Sequence, residues 1–230
     1  MSENKKTCKI KIMEDGPYIV TGNVPLSEKI IVPKGKGYVY EEGRTLPQSE
    51  SYALCRCGKS AIMPFCDGAH THVDFRGKET ASQKLYRDRA VKIEGADLDL
   101  MDDDRCAFAR FCHRENGNAW ELAEKSDISD NKAEAIQAAC DCPTGRLIAL
   151  EKDGTVHEHA YEPAIDILQD PEKAVSSGIF VKGGIPIESA DGTMYETRNR
   201  AVLCRCGQSH NKPFCDATHV VVDFIDGQKE

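Results

Sequence analysis

The sequence predicts an α+β fold made of small antiparallel sheets, short helices and long cysteine-bearing loops. Three observations predict it. A sixteen-residue frame occurs twice, as "CRCGKSAIMPFCDGAH" from Cys55 to His70 and as "CRCGQSHNKPFCDATH" from Cys204 to His219. Short apolar runs punctuated by glycine and proline precede both copies, as strands joined by tight turns do. Between the copies lies a different pattern, an alanine-rich helical stretch in "AEAIQAACDCPTGRLIAL".

Each copy reads as strand, turn, strand, cysteine loop, short helix and extended tail. "YIVTGNVPL" (Tyr18 to Leu26) coincides position by position with "IFVKGGIPI" (Ile179 to Ile187), and "HTHVDF" after the first frame pairs with "HVVVDF" after the second. The first copy carries extra residues around "SEKIIVPKGKGYVYEEGRT", with Lys34 to Gly37 as a hairpin turn. In the middle, "DLDLMDDD" reads as a solvated acidic stretch, and Trp120 reads as a core residue. Glu151 to Lys173 reads as a connector, a hairpin followed by an extended arm. The units are therefore 1–82, 83–150, the connector 151–174, and 175–230. One end unit is too small to bury its own sheet well.

Composition removes several function classes. A net charge of −8 and a pI near 5.4 disfavour a nucleic-acid partner. The first residues contain no apolar signal core, and no run approaches a membrane span, so a cytoplasmic, reducing compartment is expected. No phosphate loop, dinucleotide fingerprint, nucleophile elbow or zinc-protease motif is present. A carrier or binding protein is expected rather than a catalyst.

Eleven cysteines are the main chemical signal. Six lie in the repeats (Cys55, Cys57, Cys66, Cys204, Cys206 and Cys215), four lie between them (Cys106, Cys112, Cys140 and Cys142), and Cys8 stands alone as a buried or free thiol. An odd total with close Cys-x-Cys pairs argues for metal over disulfides. Cys-x-Cys puts two thiolates on one turn. Cys66 and His70, like Cys215 and His219, are spaced to share one face of a helix. Asp67 and Asp216 would sit at that helix's start, accepting free amides, while Pro64 and Pro213 would hold the loop extended. Three cysteines and a histidine suit a structural zinc as well as an iron–sulfur core. The four middle cysteines could equally form a zinc site, or Cys140 could be a small buried helix residue.

The frame C-x-C-x2-S-x3-P-x-C-D-G-A-H resembles the CDGSH iron–sulfur family, which includes mitoNEET. That resemblance implies a 2Fe–2S cluster in each copy, with Cys55 and Cys57 on one iron and Cys66 and His70 on the other. In the second copy the same roles fall to Cys204 and Cys206, then Cys215 and His219. The second copy departs at Ala217, where the family has glycine and a left-handed backbone would be strained, and at Thr218. Because single-copy relatives pair as twofold dimers, two copies imply an internal pseudo-dimer within a monomer. The middle segment, with "DRCAFARFCHR" and Cys142-Pro143, resembles divergent single-cluster ferredoxins. Ala109 stands where their central cysteine would fall. Cys106, Cys112 and Cys142, with Cys140 as a fourth thiolate, imply 4Fe–4S; without Cys140 the cluster would be 3Fe–4S. Single-electron transfer is the expected function, with a redox partner. The alternatives are cluster storage, sensing or delivery to an apo-protein acceptor, and a structural zinc protein.

Overall fold

Alternating side chains build the first hairpin. β1 (Lys9–Ile12) pairs antiparallel with β2 (Tyr18–Thr21), and Ile10, Ile12, Tyr18 and Val20 all turn inward, fully buried. The computed structural model describes residues 8–226; the outer ends of the first and last units, 1–7 and 227–230, lie outside the described residues. β3 (Leu26–Lys34) and β4 (Gly37–Glu42) form a second hairpin that closes on Lys34 and Gly37, as the glycine pattern predicts. β5 (Ser51–Leu54) returns beside β2 and delivers the chain to Cys55.

The middle of the chain follows a short helix, α1 (Tyr86–Arg89). β6 (Val91–Ile93) and β7 (Leu98–Asp102) lead to a small ribbon, β8 (His113–Arg114) with β9 (Gly117–Asn118). α2 (Ala119–Glu124) starts at a capping box: Asn118 accepts the Trp120 and Glu121 amides, and Glu121 reaches back to the Asn118 amide. α3 (Ser129–Asp141) lays Ala135, Ala138 and Ala139 on Leu98, Leu100 and Ala149. Small alanines let this helix lie close to the sheet. β10 (Leu147–Glu151) and β11 (Val156–His157) finish a sheet ordered β11-β10-β7-β6. Trp120 packs against this core, and its indole N–H donates to Asp102 at 3.1 Å.

β12 (Ala164–Asp170), β13 (Val175–Lys182), β14 (Ile187–Glu188), β15 (Arg200–Leu203) and α4 (Thr218–Val221) complete the chain. The sheets are mixed rather than purely antiparallel. β1 runs parallel to β14, and β3 runs parallel to β12, in a sheet ordered β15-β13-β12-β3-β4. Parallel neighbours need a long connection, and here the entire middle of the chain supplies it. The expected arm after the connector hairpin is thus a central strand, with Ile165, Ile167 and Leu168 fully buried.

Residues from both ends share one core. Ile10, Ile12, Val20 and Leu54 pack in the same cluster as Ile179, Val181, Ile187 and Leu203. Each such side chain contributes about 1.5–3 kcal/mol when removed from water, and neither end could form this cluster alone. The acidic stretch also differs from expectation. Asp99 is buried and paired with Lys92 and Lys152, Asp102 with Arg146, and Asp103 with Arg89. Arg146 and Lys152 arrive from 44 and 53 residues further along the chain, so the stretch looked solvated when read alone. Among the described residues, no helix is long and apolar enough to cross a membrane.

Candidate metal centres

The strands aim the ligands. β5 ends at Leu54 and β15 at Leu203, so Cys55 and Cys204 leave corresponding strand ends. Each loop then folds back on its strand through matching bonds. The Cys55 and Cys204 amides donate to the Pro64 and Pro213 carbonyls at 2.8 Å, and the Cys66 and Cys215 amides donate to Ala53 and Val202 at 2.9 Å. Ser60 and Ser209 hydroxyls close the turns on the Phe65 and Phe214 carbonyls at 2.6 and 2.7 Å. Both prolines follow cis peptide bonds within the turns, where an extended approach was expected.

The eight terminal ligand candidates meet as four pairs. Cys55 Sγ lies 3.6 Å from Cys57 Sγ, and Cys66 Sγ lies 3.4 Å from His70 Nδ1. In the second copy Cys204 and Cys206 are 3.7 Å apart, and Cys215 Sγ is 3.4 Å from His219 Nδ1. The helical reading of the Cys-x-x-x-His spacing is corrected here. Cys66 and Cys215 precede their helices, and the chain reaches histidine through a left-handed residue, Gly68 or Ala217. In the first copy only a 3₁₀ turn follows, over Ala69–Thr71. Ala217 has φ 69°, the conformation its place in the frame demanded. Asp67 accepts the Ala61 and Ala69 amides, and Asp216 accepts those of His210 and Thr218, so both carboxylates brace the turn.

Pairing bears on the choice of metal. Among the described residues, no three Cys, His, Asp or Glu side chains converge as a site for one ion. Each copy thus presents its candidate ligands as two pairs, thiol with thiol and thiol with imidazole. One thiol of each Cys-x-Cys pair is eased towards ionisation, while its hydrogen-bonding partner is pushed up. The Cys57 thiol donating to Cys55, helped by the Ser60 and Gly58 amides against the cost of burial, draws Cys55 down to about 6. Cys206 and the Ser209 and Gly207 amides draw Cys204 down to about 7 in the same way. A thiolate is the form that binds iron.

The two copies differ in exposure. Cys66 and His70 are half-buried, whereas Cys215 and His219 are 3% and 2% exposed. The cysteine loops themselves touch back to back. A Cβ on Gly58 would lie 2.5 Å from the Cys206 carbonyl oxygen, and one on Gly207 would lie 2.6 Å from that of Cys57. Cys55, Cys57, Cys204 and Cys206 consequently share one buried cluster. Tyr18 adds a further link by donating to the Cys204 and Pro213 carbonyls at 2.9 and 3.1 Å.

In the middle, Cys106, Cys112 and Cys142 line one cavity with Ala109, Trp120 and Arg146. Left-handed residues at Phe108 and Arg110 wrap the loop around it, and the Phe108 amide donates to Cys106 Sγ at 3.3 Å. Burial, then the neighbouring Cys142 and Cys106, push the Cys112 thiol up to about 11. Cys140 is not brought to this cavity. It sits buried on α3 near Arg200, Glu158, Asp141 and Arg114. The cavity adjoins the second copy, because Ala107 packs with Cys215 and the Cys106 thiol raises that of Cys215. Arg200 binds the carbonyls of Ala139, Cys140 and Cys142 and so ties the middle loop to β15. Cys8 packs, partly buried, beside the shared core.

Paired cysteine and histidine side chains at both ends, with a cysteine-lined cavity between them, are an arrangement suited to iron–sulfur clusters. Residues 15–71 and 177–220 match the family described as iron-binding zinc finger, CDGSH type, and residues 93–152 match the divergent 4Fe–4S mono-cluster family. The chain is a tandem CDGSH-type protein whose two copies flank a divergent mono-cluster region. No curated protein and no solved structure matches it. The sequence reading missed Arg56 and Arg205, the middle residues of each Cys-x-Cys pair, whose side chains are almost fully buried. The signal was present, since both frames read Cys-Arg-Cys.

Proposed function

We propose that the chain is a single-electron carrier holding a 2Fe–2S cluster in each CDGSH copy and a third cluster between them. Bound clusters would each exchange one electron at a time. One observation carries this reading: the three ligand sets are contiguous inside the protein. The Cys-x-Cys pairs of both ends share a buried cluster, and Cys215 packs beside the loop that bears Cys106. Storage or delivery would need ligand sets that open separately, whereas these are locked to one another by backbone contact and by Arg200. The shared core and the reciprocal Gly58 and Gly207 contacts support an internal pseudo-twofold pair in a monomer. Mixed with an apo-ferredoxin, the loaded protein is expected to transfer no cluster while all its centres reduce and reoxidise reversibly. Growth of the acceptor's visible spectrum would establish delivery instead.

For the middle site we infer three thiolate ligands, Cys106, Cys112 and Cys142, and therefore the 3Fe–4S form. The support is that Cys140 lies outside the cavity while Ala109 lines it at the missing cysteine's place. Cys140→Ala should keep the middle cluster, and Cys112→Ala should lose it. Ala109→Cys should convert it to 4Fe–4S. Mössbauer spectra of iron-57-labelled protein read all three outcomes, and loss of the cluster in Cys140→Ala would return Cys140 to the ligand set.

A further inference from the structure

We propose that the cavity between the middle region and the second copy binds one chloride-sized anion, held by Arg89, Arg105 and Arg198. The site lies beside the candidate metal centres and does not depend on which metal they take.

The cavity measures about 20 Å³, and its wall comes from distant parts of the chain. Arg89 ends α1, Arg105 immediately precedes Cys106, and Arg198 lies just ahead of β15. Shared neighbours bring the three together. Arg89 and Arg105 both face Asp103, at 2.7 and 3.9 Å. Arg89 and Arg198 both stand over the Tyr86 ring, 5.9 and 3.7 Å from its centre. Burial, then the charges of Arg89 and Arg198, pull Arg105 down to about 10 although Asp103 opposes them.

Carboxylates do not balance this group. Asp103 and Glu196 are the acidic residues of the wall. A fourth arginine there, Arg200, is closed by Glu158 at 2.7 Å. Three guanidinium groups therefore face two carboxylates. Glu196 is 3.8 Å from Arg89 and also accepts the Tyr86 amide at 2.6 Å. Arg198 donates to the Gly145 carbonyl at 3.1 Å, and among the described residues it forms no ion pair. Arg89 Nε is buried without a partner.

A cation taken out of water needs a counter-charge. Guanidinium forks commonly take carboxylate or phosphate, but here size decides. A space of about 20 Å³ admits one water-sized guest and no tetrahedral oxyanion. Chloride meets both demands, with one negative charge for a surplus of one positive. Val181, Ile185 and Ile187 form an apolar side of the wall, and Phe214 lies under Arg105 at 4.1 Å. Their low polarity strengthens the attraction. A bound anion would tie the loop that begins at Cys106 to the approach to β15, and so stiffen the junction of the middle region with the second copy.

Two measurements on the full-length, metal-loaded chain test this. Crystals grown in bromide should give an anomalous peak in the cavity above the bromine absorption edge and none below it. In solution, chloride-35 NMR should show excess line broadening that saturates below about 100 mM chloride, near physiological ionic strength. Bromide should compete for the site, and bulky gluconate should not. Arg198→Gln should reduce the excess broadening at least about fivefold. Arg76→Gln, at an exposed arginine paired with Asp74, should leave it unchanged. If Arg198→Gln does not fold, the bromide peak in the native chain still decides. A peak without saturable broadening would be binding at crystal concentration only and would overturn the site. Broadening that Arg198→Gln does not change, or that is seen only after the metal is stripped, would overturn it too.

Discussion

Gly58→Ala is expected to cost the protein both terminal clusters although it removes no ligand. The new Cβ would sit 2.5 Å from the Cys206 carbonyl oxygen and 2.9 Å from its carbon, a backbone wall that cannot rotate away. Gly58 also has φ +77°, which an alanine adopts at a cost of about 1–2 kcal/mol. Overpacking adds about 1–3 kcal/mol. Together the loops must part by the order of 3 kcal/mol, enough to lower occupancy of a tightly packed site roughly a hundredfold. Gly207→Ala should behave alike, since it faces Cys57 in return. Gly68→Ala is the control. Its φ is +89°, but nothing lies within 4 Å of the new atom, and Ala217 already occupies the equivalent place in the second copy. Visible absorbance per chain measures the outcome. Normal loading of Gly58→Ala would show that the back-to-back loops are not what holds the two sites.

How much of this was legible before folding depends on how local each interaction is. The cysteines and histidines could be read because ligand spacing is a short-range demand of the metal. The hairpin at Lys34 to Gly37 could be read from its glycines. β12 could not, because Asp166 and Asp170 interrupt its apolar run. They are buried only because Lys182 and Arg110 arrive from distant segments. The acidic stretch around Asp99 misled for the same reason. Cys140 is different: it falls in the last turn of α3, buried beside Arg200, and does not line the cavity that Cys142 lines. The Cys-x-x-x-His pairs misled in another way. The spacing suggested a helix face, yet the chain turns left-handed at Gly68 in one copy and Ala217 in the other before any helix begins.

Acid should strip the two terminal clusters in separate phases, the first site before the second. Each depends on a neutral imidazole, because a protonated ring has no lone pair for iron. His219 is 2% exposed, and burial, then the nearby Arg205, pull its pKa from 6.5 to about 4. The sign follows from linkage. A depressed pKa means that the folded protein prefers the neutral ring, so this stabilisation is complete above about 6.5 and is lost as pH falls through 4. At pH 5, roughly a tenth of His219 would be protonated even without iron. His70 and Cys66 are half-buried, so acid and water reach the first site directly. Stopped-flow decay of the visible spectrum at pH 5 should therefore be biphasic with equal amplitudes, the fast phase at least about tenfold quicker. His70→Cys should abolish the fast phase alone, because a thiolate bound to iron competes better with protons than imidazole does. His219→Cys should leave the fast phase untouched. A single exponential in the native chain, or a fast phase that survives His70→Cys, would mean that burial of His219 does not govern which cluster leaves first.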